Sequence, residues 1–461
     1  MCPRFKSLEN INLCLSVSIR VLKIKKLIMK LLLSGVVAAL SVFLAHTSVF
    51  ALQYTFTPRV SIRESYTDNV NLAETNKEDD FIMDATAGGT FSALGRTGGM
   101  NLSFDPGYRW YAKGTELDTW RLPVTLDIWS QISRKTRLEF FNRFLRDDDP
   151  EGAEAVVSEE DGQVKAPGDT SVRRGRRPYY TNYATARINH EFGRDDSSFG
   201  QFLYSLRREE EQGGNENDHY ALSGGFIYWF GPRWGTTVNS NYTIAKFENS
   251  PNYHDIAGIF QVMRRITGHF QLFGRYGYAY RDNDEDVSDY VVHAPSAGFS
   301  YELAKDSRAS LVIGYFLQEF KDSDIDPEEG CFFNGDLFKR WDYQRWSASL
   351  RGLAGLDRND FGNERLGFEW SAGIFGDASY KFTSTFSGNV TGSYRYSDII
   401  NDVREDSRIS VGAGLGWVPT TWMALNLDYT FNRLISTSAK EYEENRILLR
   451  LTLQPERSWR F

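Results

Sequence analysis

The sequence predicts an all-β protein, a single transmembrane antiparallel up-and-down β-barrel of about 20 strands, with about 16 to 22 as the range. Three observations carry that expectation. Apolar and polar residues alternate with period two along nearly the whole chain after residue 52. Short turns and long acidic loops succeed one another between the alternating segments. A basic, then apolar, leader precedes the first segment, and the last segment closes on an aromatic residue.

The leader comes first in the chain. Arg20, Lys23, Lys25, Lys26 and Lys30 precede an uncharged run over 31–50, and Val49-Phe50-Ala51 carries small residues where a signal peptidase reads. This is the pattern of a secretory signal. The run is long enough for a spanning helix, which needs about 20 apolar residues, but it ends on His46-Thr47-Ser48 and the cleavage pattern. Met29-Lys30 marks the expected natural start. Residues 1–51 are therefore read as an N-terminal extension plus cleaved signal, and 52–461 as the barrel. Removing 1–51 leaves 46 basic against 60 acidic residues, a balance that argues against nucleic acid as a partner. Cys2 and Cys14 leave with the leader and only Cys331 stays, so the backbone ladder, not a disulfide, must hold the chain.

The alternation is explicit in several segments. Leu122, Val124, Leu126 and Ile128 alternate with Pro123, Thr125 and Asp127, and Met423, Leu425, Leu427, Tyr429 and Phe431 alternate with Ala424, Asn426, Asp428, Thr430 and Asn432. Successive strand side chains point to opposite faces, so each segment has one apolar and one polar-or-small face. The segments 331–341 and 446–454 are patterned more weakly. Short turns fall at 94–98, 133–136, 193–197, 231–234, 304–307, 342–345, 382–385 and 419–422. Long loops fall at 67–78, 113–117, 147–178, 209–218, 248–254, 282–289, 321–330, 358–366, 398–406 and 436–445. Tight turns at one end and long loops at the other is the layout of outer-membrane barrels, and an even strand number puts both termini on the periplasmic side. Tyr108, Trp110, Tyr278, Tyr280, Tyr394, Tyr396 and Trp417 sit near segment ends, as an interfacial girdle requires.

On the proposed inward faces lie Asp127, Arg187, Arg275, Glu302, Arg351, Glu369, Asp377, Arg395 and Asp428, a lining of mixed sign. The third and longest loop opens on Asp147, Asp148 and Asp149 and closes on Arg173, Arg174, Arg176 and Arg177. These residues suit either a constriction folded into the lumen or a surface loop whose arginines meet lipopolysaccharide phosphates. The runs Asp282-x-Asp284-x-Asp286 and Asp322-x-Asp324-x-Asp326 lack the Gly and Glu that a helix-loop-helix calcium site needs at its sixth and twelfth positions. The histidines carry neither metal-ligand nor triad spacing, so no enzyme, metal or cofactor is expected.

Two segments carry a resemblance. The run Glu64, Tyr66, Thr67, Asp68, Asn69, Val70 followed by Asp79, Asp80 and Phe81, within 60–95, resembles the outer-membrane barrel family associated with the PEP-CTERM protein-sorting and exopolysaccharide system. The stretch 352–373 is similar to that family's late hairpin. The resemblance implies a barrel serving exopolysaccharide export in the bacterial outer membrane, with polysaccharide and periplasmic export components as partners besides outer-membrane lipid and lipopolysaccharide. A passive diffusion porin and a non-conducting scaffold are the alternatives. The final segment, with Ile447, Leu449, Leu451 and Leu453 alternating toward Phe461, resembles the signal read by the barrel-assembly machinery. Pro455 cannot donate to a ladder, so pairing is expected to stop near it.

Overall fold

Period-two alternation becomes a continuous ladder of 22 strand segments in one sheet. The computed structural model describes residues 53–149, 176–210, 216–248, 251–284, 288–304, 306–321, 326–359, 367–399, 404–437 and 441–461. The leader 1–51, Arg173, Arg174, Asp286, Asp322 and Asp324 lie outside the described residues, as does the side chain of Glu369.

The first segments are β1 (Gln53–Thr67), β2 (Asp80–Leu94), β3 (Gly98–Phe104), β4 (Gly107–Tyr111), β5 (Thr119–Ser133), β6 (Thr136–Asp147) and β7 (Tyr179–Glu191). There follow β8 (Ser197–Glu209), β9 (Asn217–Trp229), β10 (Trp234–Phe247), β11 (Tyr253–Arg265), β12 (Phe270–Asn283), β13 (Tyr290–Ala304) and β14 (Ser307–Phe320). The last are β15 (Glu328–Asp342), β16 (Trp346–Asn359), β17 (Gly367–Lys381), β18 (Phe386–Ile399), β19 (Glu405–Thr420), β20 (Met423–Ser436), β21 (Tyr442–Leu453) and β22 (Trp459–Arg460).

These make a closed antiparallel barrel of 20 strands. β3 and β4 are two halves of one strand, since both pair with β2 on one side and β5 on the other. Asp105 and Pro106 part the halves: proline has no N–H to give to the ladder, but its carbonyl accepts from Ala87 N at 3.0 Å. The barrel closes where β21 pairs with β1, from Val60↔Leu453 to Thr67↔Arg446. Pairing does stop at Leu453, before Pro455, but it resumes as β22 on the foot of β1, with Thr55↔Arg460 and Phe56↔Trp459. The expectation that pairing stops near Pro455 holds, and beyond the proline a second short pairing begins.

Sidedness follows the loop lengths. The ten long connections, after β1, β4, β6, β8, β10, β12, β14, β16, β18 and β20, share one end. The other end has tight turns, including one at 266–269 that the pattern did not single out; there the Thr267 hydroxyl accepts from the backbone N of His269 (3.2 Å) and Phe270 (3.0 Å). The weakly patterned segments form β15 and β21 in full.

The two faces separate cleanly. On the β19–β20 pair, Leu415↔Leu427 and Ala413↔Tyr429 face out, while Gly414↔Asp428 and Gly416↔Asn426 face in. Large apolar side chains such as Leu222, Trp120 and Ile313 stand about 60% exposed on the outer face (61%, 62% and 60%), where lipid rather than water covers them. Strands of 12 to 16 residues rise about 3.3 Å per residue and tilt by about 40°, giving a wall of roughly 30–40 Å against an apolar band of about 25 Å. The strand ends therefore project beyond the membrane on the long-loop side.

Candidate channel interior

The inner wall near the long-loop end carries a buried ion lattice built strand by strand. Arg109 on β4 is 1% exposed. Its Nε donates to Asp84 Oδ1 on β2 at 2.7 Å, and its Nη1 donates to Asp147 Oδ1 at the end of β6 at 2.9 Å and also to Asp148. Arg63 on β1 donates through Nε to the other oxygen of Asp84 at 2.7 Å. Arg121 on β5 donates to Asp147 Oδ2 at 2.6 Å. All but Asp148, which follows the end of β6, fall on the inward parity of their strands, which is why residues far apart in sequence converge.

The two ends of the third loop join this lattice. Asp148 accepts from the Tyr111 hydroxyl, and Asp149 accepts from Arg446 Nη2 on β21 at 3.2 Å. From the loop's far end, buried Arg176 donates to Val70 O at 3.0 Å and to the Tyr111 hydroxyl oxygen at 3.3 Å, with its guanidinium over the Tyr111 ring. Three successive aspartates would repel one another in a low-dielectric site. The surrounding arginines offset that repulsion and the cost of burial. Burial alone would raise the Asp149 carboxyl, but Arg446, Arg176, Arg109 and Arg63 outweigh it and hold it well below the usual carboxylate range. Asp148 goes the other way: burial, with Asp147 beside it, pushes it up against the pull of Arg109 and Arg176. Arg177 is exposed at the rim.

The residues proposed from the sequence as pore-lining all lie on strands, but they do not form one cluster. Asp127 is on β5, Arg187 on β7, Arg275 on β12, Glu302 on β13, Arg351 on β16, Asp377 on β17, Arg395 on β18 and Asp428 on β20. Arg351 donates to Asp336 on β15 at 2.8 Å, and Arg187 lies over the Phe199 ring at 4.9 Å. Asp377 accepts from Ser349, and Arg275 faces Ser296 across β12 and β13 at 3.4 Å. Glu369 is on β17, and of its side chain nothing is described. Sequence reasoning missed Arg63, Asp84, Arg109, Arg121, Asp336 and Arg446. Their signal was a charged residue at an inward position of an alternating strand, one residue from an outward apolar one. Among the described residues, no group of three or more His, Cys, Asp or Glu is placed to hold a metal.

Residues 275–455 match the family described as "Putative beta-barrel porin 2". No curated protein matches the chain. Solved structures with a similar barrel include Pseudomonas aeruginosa OpdK with vanillate, at 12% identity and TM-score 0.40, covering 87% of this chain and 99% of that one. P. aeruginosa OccK2 (OpdF) in complex with glucuronate gives 12% and 0.38, with 87% and 98% covered. Acinetobacter baumannii OccAB3 gives 10% and 0.35, with 87% and 99% covered. Values this low say nothing of substrate. The closed barrel, its lipid-facing band and the porin-family match define the class: a porin-like β-barrel of the bacterial outer membrane. The link to the PEP-CTERM system has no support beyond the two resembling segments.

Proposed function

We propose that the barrel is a passive diffusion porin for small hydrophilic solutes, with the ends of the third loop narrowing one side of its lumen. The observation that carries this reading is how the inner charges are disposed. Arg351 pairs with Asp336 on the adjacent strand, and Arg109 with Asp147 one strand beyond its neighbour. Both pairs run between strands of the wall. Barrels of about 16–18 strands already enclose an aqueous channel, and mixed charge lines it without selecting ions of one sign. The porin-family match over 275–455 supports the same reading. Export of polysaccharide keeps only the resemblance of 60–95 and 352–373, so the porin alternative is adopted in its place.

Swelling of liposomes containing the refolded barrel tests this. Small sugars should enter at rates that fall with size, without any added partner. Deleting the gene should impair small-solute uptake and leave surface polysaccharide intact. The reverse outcome, lost polysaccharide with normal uptake, would overturn the porin reading in favour of export.

A further inference from the structure

The outer face of the barrel carries a polar pair at a depth where lipid tails lie. Asp147 faces the lumen, so the even-numbered residues of β6 face outward. Among them Asn142 stands between Phe140 and Phe144, opposite Leu126 of β5 and Ala184 of β7. Asn182 of β7 shares that face, opposite Phe144 and Leu206 of β8. Leu126, the central residue of β5, fixes the depth: it lies midway between Trp120 and Ile132, both exposed on the same face. Six residues at about 3.3 Å each, tilted by about 40°, rise about 15 Å. The pair therefore sits well inside an apolar band of about 25 Å.

The two amides do not satisfy each other. Asn142 Nδ2 donates to Asn182 Oδ1 at 2.9 Å and lies 3.4 Å from Tyr183 O. Among the described residues Asn142 Oδ1 accepts no hydrogen bond and the Asn182 amino group donates none. Hydrocarbon offers neither group a partner, and an unmet polar group there is costly. Other polar side chains on the outer face find partners within the chain. The Thr236 hydroxyl donates to Gln261 O at 2.9 Å, and Tyr276 pairs with His293 at 2.6 Å. The surface around the amides is a trough: Ala184 and Ala186 of β7 form its floor, Phe140 and Phe144 of β6 one wall, and Phe202 and Tyr204 of β8 the other.

We infer that a second copy of this chain docks on the trough, wall against wall, to form a two-fold dimer in the membrane. The amide pair is self-complementary. A two-fold axis along the membrane normal, passing beside Asn142 and Asn182, sets the free Asn182 amino group of each copy against the free Asn142 carbonyl of the other. Such an axis keeps every residue at its own depth, so both bonds form together, as an isologous interface requires. The alanine floor leaves room for the partner's aromatic walls, and small residues with polar ones as glue are what hold membrane segments together. Lipid tails would fill the trough but leave the amides unmet. The inference goes beyond the porin reading and holds whether or not the lumen conducts.

The test cross-links the barrel in isolated outer membranes. Ala186→Cys, in a Cys331→Ser background, puts one thiol on the trough floor beside the amides. Ile374→Cys in the same background puts one at the middle of β17, exposed on the opposite side of the barrel. With a short bis-maleimide the first should give a product of twice the barrel's mass, and the second several-fold less of it. Asn142→Leu with Asn182→Leu suits lipid, so the barrel should still fold, as heat-modifiable mobility will show, while the Ala186→Cys yield falls several-fold. No product from Ala186→Cys, equal yields from the two thiols, or a product of any other mass would overturn the dimer. An undiminished yield in the folded leucine variant would overturn it equally, since the amides would then hold nothing.

Discussion

Arg109 of β4 reaches past β5 to Asp147 of β6, and the two meet at 2.9 Å inside the barrel with both side chains almost wholly buried. This contact ties the root of the third loop to the first hairpin, because Arg109 also holds Asp84 of β2 and Asp148. Removing one partner of a buried ion pair typically costs about 3–5 kcal/mol, since the other charge is left without compensation. Arg109→Met should therefore destabilise the barrel by about that amount in urea unfolding from lipid vesicles. A loss of less than about 0.5 kcal/mol, the range of ordinary surface changes, would show that the lattice holds nothing in place.

Leu427 and Asp428 are neighbours in sequence and opposites in environment. Leu427 stands on the lipid face between Leu415 and Leu449, and Asp428 on the inner face opposite Gly414. Leu427→Arg should cost about 2–4 kcal/mol near the bilayer midplane, while Asp428→Arg should be tolerated. Equal costs at the two positions would contradict the assignment of faces.

Asp148 and Asp149 should respond to pH in opposite senses. Asp149 has a depressed pKa in the fold despite its burial, so its contribution is present above the ordinary carboxylate range and is lost as pH falls below about 4. Asp148 has a raised pKa, chiefly from burial, so its contribution is present at low pH and is lost as pH rises through its folded value. Asp149→Asn should thus cost stability at neutral pH and flatten the acid limb of the stability profile. Asp148→Asn should cost less at neutral pH, because asparagine still accepts from Arg109 and Tyr111. Identical pH profiles for the two variants would refute this division.

The extreme C-terminus completes the foot of the barrel. Phe461 N donates to Tyr54 O at 3.1 Å, next to the Phe56–Trp459 contact, and its ring is exposed. An exposed terminal ring fits the proposed role of a signal for the barrel-assembly machinery. Deleting Phe461 should slow insertion and leave protein in the periplasm, measured by fractionation and heat-modifiable mobility. Normal outer-membrane yield would exclude that role.

The fold was legible because a barrel writes its two faces into every strand. Leu425, Leu427 and Tyr429 against Asn426 and Asp428 need no tertiary information to be sorted. The lattice was not legible in the same way. Nothing near Arg109 in sequence marks Asp147 as its partner; only the register through β5 brings the two together. The break at Asp105-Pro106 was hidden for a related reason, since β3 and β4 taken separately read as short segments and their common partners reveal them as one strand.

The central claim, that the barrel is an open water-filled pore, is tested most directly by recording the purified protein in a planar bilayer. Discrete steps of constant amplitude should appear without any partner, scale with salt concentration and show only weak preference between cations and anions. Arg109→Met should raise the step size by releasing the loop ends from the wall. A folded barrel, verified by heat-modifiable mobility, that carries no current at any salt concentration would contradict the account.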